Sequence, residues 1–479
     1  MQSRRDQVQA HMFVMGRLSA GMLRADPDIP DTPQRRTTRG FAIGLVVTVL
    51  IGLGTFLFGL VIQPGQATSW RADGSVVVER DTGARWLYVG GELHPVLNPA
   101  SAKLVAGQRL AVHDVASSSL VGVPRGAPVG IPGAPDGLPA AGALSRDEWL
   151  SCAAPSDSGG RDFALLVGST AGDPVTDRQG VLVSGPDGSV FLVWGGRKWR
   201  LDPASGGPAA LGYTTADPVP VPVGLLNALP TGPDLVAPDV PGRGRPGPVL
   251  AGQPSTVGQL FVDARHRPYL LADRGLVPLT DTVAKLISGD PKTQAAAYGG
   301  QAVQPRMIGA GDITAHSAPT ALRGQLTRGG LFPTSPPQLV SAVGKGVCAV
   351  TEPGAAVSTS VRMVPAAVTA AARPALPRPG VTPSCSAPGR VGIEPGSGAL
   401  VASVATGGGA ANALFLVADD GVKYPVGSDD ALAALGYTAD EAVRMPAMLV
   451  DQLATGPALD PAAAGRPVLE QPRLVPPRC

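Results

Sequence analysis

Four stretches of this 479-residue chain carry residue types that could do chemistry. Asp157-Ser158-Gly159-Gly160 has the makings of a turn that exposes a serine nucleophile, and Thr314-Ala315-His316-Ser317 holds a histidine that could act as its base. Acyl transfer by such a pair also needs an orienting acid, in whatever chain order the fold provides. In hydrolases built on an Asp-Ser-Gly-Gly loop the histidine precedes the serine and a glycine leads the loop. Here the order is reversed and Ser156 takes the leading place. Gly- and Ser-rich turns produce such matches by chance. Gly289-Asp290-Pro291-Lys292-Thr293 and Gly344-Lys345-Gly346 come nearest to a phosphate-cradling loop. Neither has the GxxxxGK(S/T) spacing that sets backbone amides, lysine and hydroxyl around phosphates and magnesium. The 5 histidines and the scattered acids form no compact metal-ligating or acid–base cluster in the sequence. The expectation is a chain with no catalytic, cofactor-binding or metal-ligating residue.

The 4 cysteines, Cys152, Cys348, Cys385 and Cys479, have no CxxC or Cys/His spacing that would hold zinc. Cys152 and Cys348 lie beside the apolar runs DFALLVGS and LVSAVGKGV, as cysteines joining two strands would, whereas Cys385 and Cys479 lie in Pro-rich segments. Four cysteines allow three connectivities, and spacing alone does not choose among them.

What must position these residues begins with an uncharged run, Phe41 to Ile62, of 22 residues. As a helix it covers roughly 33 Å, enough for the hydrocarbon core of a bilayer. A buried soluble helix would be shorter and would carry a polar face. A cleaved signal peptide would start earlier and end in a small-residue site. The run therefore reads as a retained anchor. Residues 1–40 hold 7 Arg and 4 Asp, with Arg35, Arg36 and Arg39 just before the run; beyond it the first charge is Arg71. Positive flanks stay cytoplasmic, which places the amino end inside and 63–479 outside. Taking those charges from totals of 39 basic and 37 acidic residues leaves 32 and 33 for the outer part. A near-neutral domain argues against nucleic acid as a partner. All four cysteines fall on the side where disulfides persist.

In the cytoplasmic arm Ser3 can cap a helix, and Val8, Met12, Met15, Leu18, Met22 and Leu23 recur at helical spacing before Pro27. A short amphipathic helix that docks on a partner at the membrane face is expected, with a helix lying on the lipid as the alternative. Beyond the anchor one pattern occurs four times, beginning at Trp86, Phe191, Tyr269 and Phe415. An aromatic leads two apolar residues, a Gly/Asp turn follows, and a second short strand closes a hairpin. The second and fourth copies continue alike, through ALGYTTADPVPVPVGLLNALPTGP and ALGYTADEAVRMPAMLVDQLATGP. Their starts are 105, 78 and 146 residues apart, too uneven for a stacked solenoid. Small hairpin-plus-helix modules around a separate β domain fit better. DFALLVGS, LVSAVGKGVCAV, SVRMVPAAV and ALVASVAT are left to build that centre, and Ala366–Pro388 reads as a flexible loop.

With Ser3-Arg4-Arg5-Asp6-Gln7-Val8-Gln9-Ala10-His11 at the start, then the anchor, Gly130-Ile131-Pro132-Gly133-Ala134-Pro135-Asp136, Trp149-Leu150-Ser151-Cys152 and Leu225-Leu226-Asn227-Ala228-Leu229-Pro230-Thr231-Gly232-Pro233, the chain resembles the EccB family nearly end to end. EccB is the single-span component of the actinobacterial type VII (ESX) secretion membrane complex. The resemblance implies an α+β fold, a single transmembrane helix followed by an elongated ectodomain. Four peptidoglycan-binding-like repeat modules would surround a central β domain closed by a Cys152–Cys348 disulfide. A Cys385–Cys479 bridge extends that assignment to the remaining pair. The expected limits are 1–40 for the arm, 41–62 for the helix and 63–110 for module one. The central domain takes 111–178 and 301–412, module two 179–245, module three 246–300, and module four with the tail 413–479.

The implied partners are an EccC-like FtsK-type ATPase, an EccD-like channel subunit and an EccE-like subunit, with self-association through the ectodomain. Arg4, Arg5, Val8, Met12, Met15 and Leu18 would make the cytoplasmic contacts, and no cofactor is implied. The implied place is the cell membrane, single-pass, with the bulk in the periplasm-like space. The function that follows is scaffolding of protein export. Cell-wall tethering through the modules, with peptidoglycan as a further partner, is the alternative. Some family members are labelled ATPases, which makes extracytoplasmic ATP hydrolysis a third reading without a motif here to support it.

Overall fold

A computed structural model describes residues 4–24, 33–62, 68–156, 159–326, 330–354, 358–405, 411–470 and 472–476. Helix α1 runs Arg4–Arg24 and helix α2 Pro33–Ile62. The second starts ahead of the apolar run, because nothing in Thr37-Thr38-Arg39-Gly40 breaks a helix that the apolar residues continue. Its stretch Thr37–Phe58 has mean hydropathy 2.5 and buries nothing against the rest of the chain, so it is long and apolar enough to cross a membrane. The expected cap Ser3 lies outside the described residues.

Contacts divide the chain into two units. One comprises residues 1–71, 78–84 and 113–123, and contains both long helices. The other comprises 72–77, 85–112 and 124–479 and contains most of the strands.

In the second unit a seven-stranded sheet runs in the spatial order Arg373–Pro374, Arg390–Gly392, Arg161–Val167, Trp149–Pro155, Lys345–Glu352, Ser358–Pro365, Asp173–Pro174. Its three middle strands read as nearly unbroken apolar runs, which is what burial on both faces demands. Cys152 stands directly opposite Cys348 in the antiparallel register of two of them.

Three smaller sheets share one strand order, third-second-first-fourth, with the fourth strand parallel to the first. Their strands are, respectively, Gln179–Ser184, Val190–Trp194, Arg197–Leu201 and Val219–Pro220; Leu260–Val262, Pro268–Ala272, Gly275–Pro278 and Arg306–Met307; and Gly398–Val404, Ala411–Ala418, Val422–Pro425 and Val443–Pro446. A further hairpin pairs Arg85–Val89 with Glu92–Pro95. The Gly195-Gly196 turn needs glycine twice over. Both residues have positive φ, and a methyl on Gly196 would meet the Thr359 carbonyl oxygen at 1.8 Å.

Two expectations about the centre change. ALVASVAT is the first strand of the last small sheet, not part of the central one. Composition could not separate the two, because Ala399 and Val401 pack into one core and Leu400 into another, burying both faces as in a central strand. Ala366–Pro388 is not loop throughout, since it contains a helical turn at Ala366–Ala370 and the edge strand Arg373–Pro374.

Candidate functional site

The residues singled out as chemical are mostly engaged in holding the chain. The His316 carbonyl accepts the Leu276 amide at 2.6 Å, so its loop serves as an edge for the strand Gly275–Pro278. Asp157 and Ser158 lie outside the described residues. Asp290 caps the helix Pro291–Tyr298, accepting from the Lys292 amide and the Thr293 hydroxyl, and pairs with Arg243 at 2.5 Å. The segment Gly289–Thr293 is thus a helix start in which a carboxylate already takes the place that a phosphate would need. Lys345 Nζ lies 3.1 Å from Asp173, largely in solvent. Among the described residues no cluster of His, Cys, Asp or Glu could hold a metal ion.

Cys152 and Cys348 form a disulfide in the middle of the central sheet, with Cα atoms 4.0 Å apart and neither residue exposed. Leu150, Leu166, Val350 and Val364 pack around it. Cys385 is also disulfide-bonded. Cys479 lies outside the described residues.

What the sequence reading missed is how the hairpins are finished. A later segment comes in beside the second strand of each hairpin at one equivalent position. Leu93 donates to Pro124 and accepts from Gly126, Lys198 donates to Pro230 and accepts from Gly232, and Leu276 donates to His316 and accepts from Ala318. Lys423 accepts from Gly456 and pairs in parallel with Thr455. The ALGY match has an equally specific outcome. The Tyr213 hydroxyl donates to the Pro337 carbonyl at 2.7 Å and the Tyr437 hydroxyl to Pro139 at 2.6 Å. Burial pushes both phenols above the ordinary tyrosine range. The paired sequences were the available signal, but their carbonyl partners come from distant loops and no spacing rule reaches them.

The two matched LLNALPTGP and LVDQLATGP segments also meet. Gln452 is fully buried and donates from Nε2 to the Gly224 carbonyl at 2.9 Å, joining the turns Val223–Ala228 and Ala447–Val450. Gly224 leaves no room for a side chain, because a methyl there would meet the Phe163 ring at 2.3 Å.

On α1, Val8, Met12, Met15 and Leu18 are all exposed, and so is Met22. Phe13 and Val14 are exposed too and, at 100° per residue, lie off that stripe, so the apolar surface is broader than a single narrow face. Leu23 is in the helix, with its side chain outside the described residues.

Fold and geometry together define a mixed α+β protein in which one exposed apolar helix leads a disulfide-bonded body of several sheets. The family model described as type VII secretion system ESX-1, transport TM domain B, matches residues 1–467, and the chain belongs to this EccB family. It is similar to a Mycobacterium tuberculosis protein named ESX-3 secretion system ATPase EccB3, at 31% identity over 98% of this chain and 90% of the relative. The protein of that name from Mycolicibacterium smegmatis is 29% identical over 95% of this chain and 89% of the relative. Among solved structures, a chain of an intact ESX-5 inner membrane complex aligns with TM-score 0.63 at 24% identity, covering 99% of this chain and 97% of that one. The EccB3 dimer from the ESX-3 core complex aligns with TM-score 0.63 at 27% identity, covering 82% of this chain and 99% of that one.

Proposed function

We propose that this chain is the membrane-anchored structural subunit of a type VII (ESX) inner-membrane complex and scaffolds protein export from the extracytoplasmic side. The observation that carries this is the match of the EccB family model to residues 1–467, which takes in the exposed apolar helix and the multi-sheet body together. The helix spans the membrane once, with the cationic arm cytoplasmic and the body outside, an orientation supported by Arg35, Arg36 and Arg39 on one flank only. An EccB3 dimer and a periplasmic assembly of an ESX-5 complex among the structural relatives support pairing of the body with copies of itself. The arm meets the cytoplasmic partners, an EccC-like ATPase and EccD-like and EccE-like subunits, through Arg4, Arg5, Val8, Met12, Met15 and Leu18.

Within the body the reading takes four peptidoglycan-binding-like modules around a central domain. Its support is the shared third-second-first-fourth order of three sheets and the equivalent edge contacts at Leu93, Lys198, Leu276 and Lys423. The limits follow the first and fourth strands of each sheet, so module three extends past 300 to Arg306–Met307 and module four starts at Gly398. Cys385 pairs with Cys479, and mapping of a non-reduced digest tests this. A Cys385 peptide linked to any other cysteine would overturn it.

Detergent extraction of the tagged protein, followed by sizing and identification of what co-purifies, tests the main reading. A large assembly with other membrane subunits is expected, and migration as a lone monomer would sink it. Cell-wall tethering gains nothing from Trp199, Tyr269 and Tyr424, which are buried, and would have to use the partly exposed Trp86, Phe191 and Phe415. Retention of the body on insoluble cell wall would restore that alternative. The relatives carry ATPase in their names. Phosphate release that disappears on K292A or K345A substitution would bring that activity to this chain.

A further inference from the structure

The strand Gln179–Ser184 has an outer edge shared by two short strands that run parallel to it. Gln338–Leu339 pairs at its beginning, at Gln179 and Gly180, and Val219–Pro220 at its end, at Val183 and Ser184. Between them a groove of about 440 Å³ opens, lined by Leu182, Pro218, Val219, Leu339, Val340 and Val343. Val343, at the rim of the lining, is 87% exposed and free to meet a ligand.

One cation also lines the groove. The Arg161 guanidinium donates to the carbonyls of Ala153, Ala342 and Lys345, at 3.0, 2.7 and 2.8 Å. Those bonds use three of its five N–H donors. No carboxylate among the described residues lies within ion-pair reach of it, and Asp217 on the same lining makes no pair with it. Among the described residues this half-buried guanidinium is held by carbonyls alone, which leaves donors for an anion, and burial draws its pKa down.

We propose that this groove binds the free C-terminal end of an extended aliphatic peptide from another polypeptide, its carboxylate on Arg161 and its side chains against Leu182, Val219 and Val343. Between the two short strands only Val181 and Leu182 are left uncovered on this edge, room for the last residues of an extended chain running in line with them. The guanidinium fork suits a carboxylate.

The test uses the full chain in nanodiscs and a fluorescent hexapeptide ending in Ala-Val-Val, read by anisotropy. The free acid is expected to bind at least about tenfold more tightly than its C-terminal amide, as a charge-assisted bond implies. It should also bind more tightly than an amidated peptide ending in Ala-Asp-Val. Arg161→Gln should erase that preference. Because Arg161 also ties three backbone segments together, Val343→Asp is the second variant. It alters an exposed side chain and is expected to weaken the free acid by repulsion at the lining. Equal affinity of acid and amide, binding of the internal aspartate peptide as tight as that of the acid, binding indifferent to both substitutions, or no binding would each overturn the proposal.

Discussion

At the residue scale two tight constraints are the glycines in the TGP segments that the second and fourth sequence copies share. A methyl on Gly232 would meet the Trp199 ring at 2.6 Å, and one on Gly456 the Tyr424 ring at 2.3 Å. Both rings belong to filled cores, so neither has room to retreat. Gly456→Ala is therefore expected to destabilise the protein by about 1–3 kcal/mol through overpacking. Gly427→Ala is the control, since nothing lies within 4 Å of a methyl there. Urea midpoints at unchanged m-value would measure both, and equal midpoints would refute the close contact. The buried phenols give a pH dependence. Tyr213, Tyr424 and Tyr437 all titrate above the ordinary tyrosine value because burial disfavours the phenolate. Their contribution is complete below about pH 10, where the unfolded phenol titrates, and is lost as pH rises beyond it. Stability should fall by up to about 1.4 kcal/mol per pH unit for each phenol. Tyr437→Phe should make that alkaline fall shallower while lowering stability at neutral pH through the lost bond to Pro139. Denaturant titrations between pH 8 and 11 would show an unchanged slope if Tyr437 were not buried in solution.

At the element scale the Cys152 and Cys348 strands are neighbours in the sheet but 196 residues apart in sequence. The bond therefore closes a long loop, which includes two of the small sheets, and acts mainly by restricting the unfolded chain. Replacing both cysteines by Ala is expected to cost about 2–5 kcal/mol. Since neither sulfur is exposed, reductant should leave the native midpoint unaltered until denaturant opens the central sheet. A thiol assay under native conditions that found rapid reaction would contradict that burial. The same elements show what a sequence can carry. The hairpins were legible because an aromatic, two apolar residues and a Gly/Asp turn are all local; Phe191 to Leu201 forms that hairpin, with Arg197 opposite Trp194. The fourth strands were not. Val219–Pro220 and Arg306–Met307 are two residues long and exist only through pairing with a strand far back in the chain. Arg161 was passed over for a similar reason, since its three carbonyl partners come from two separate segments.

At the scale of the whole molecule the charge is divided unevenly. The first 40 residues hold 7 Arg against 4 Asp, and the remainder is near balance. An exposed helix with Met12, Met15 and Met22 on one side offers unbranched, polarizable side chains that adapt to a protein surface. Its function and that of α2 are separable in principle, because the apolar run needs no help from α1 to enter a bilayer. Met12→Asp with Met15→Asp should therefore leave the protein in the membrane fraction while releasing cytoplasmic partners from the purified assembly. Removing two buried contacts of about 1–2 kcal/mol each would weaken binding by roughly thirtyfold to a thousandfold. Arg4→Ala with Arg5→Ala should act differently, reducing attraction to anionic surfaces in a salt-dependent way while leaving apolar docking in place. The informative measurement is the subunit composition of the solubilised complex at low and at high salt. Loss of partners in the methionine variant at both salts, with weakening in the arginine variant at low salt that disappears at high salt, is expected of a protein-docking arm. Loss of membrane retention in either variant would instead mean that α1 works as a lipid anchor.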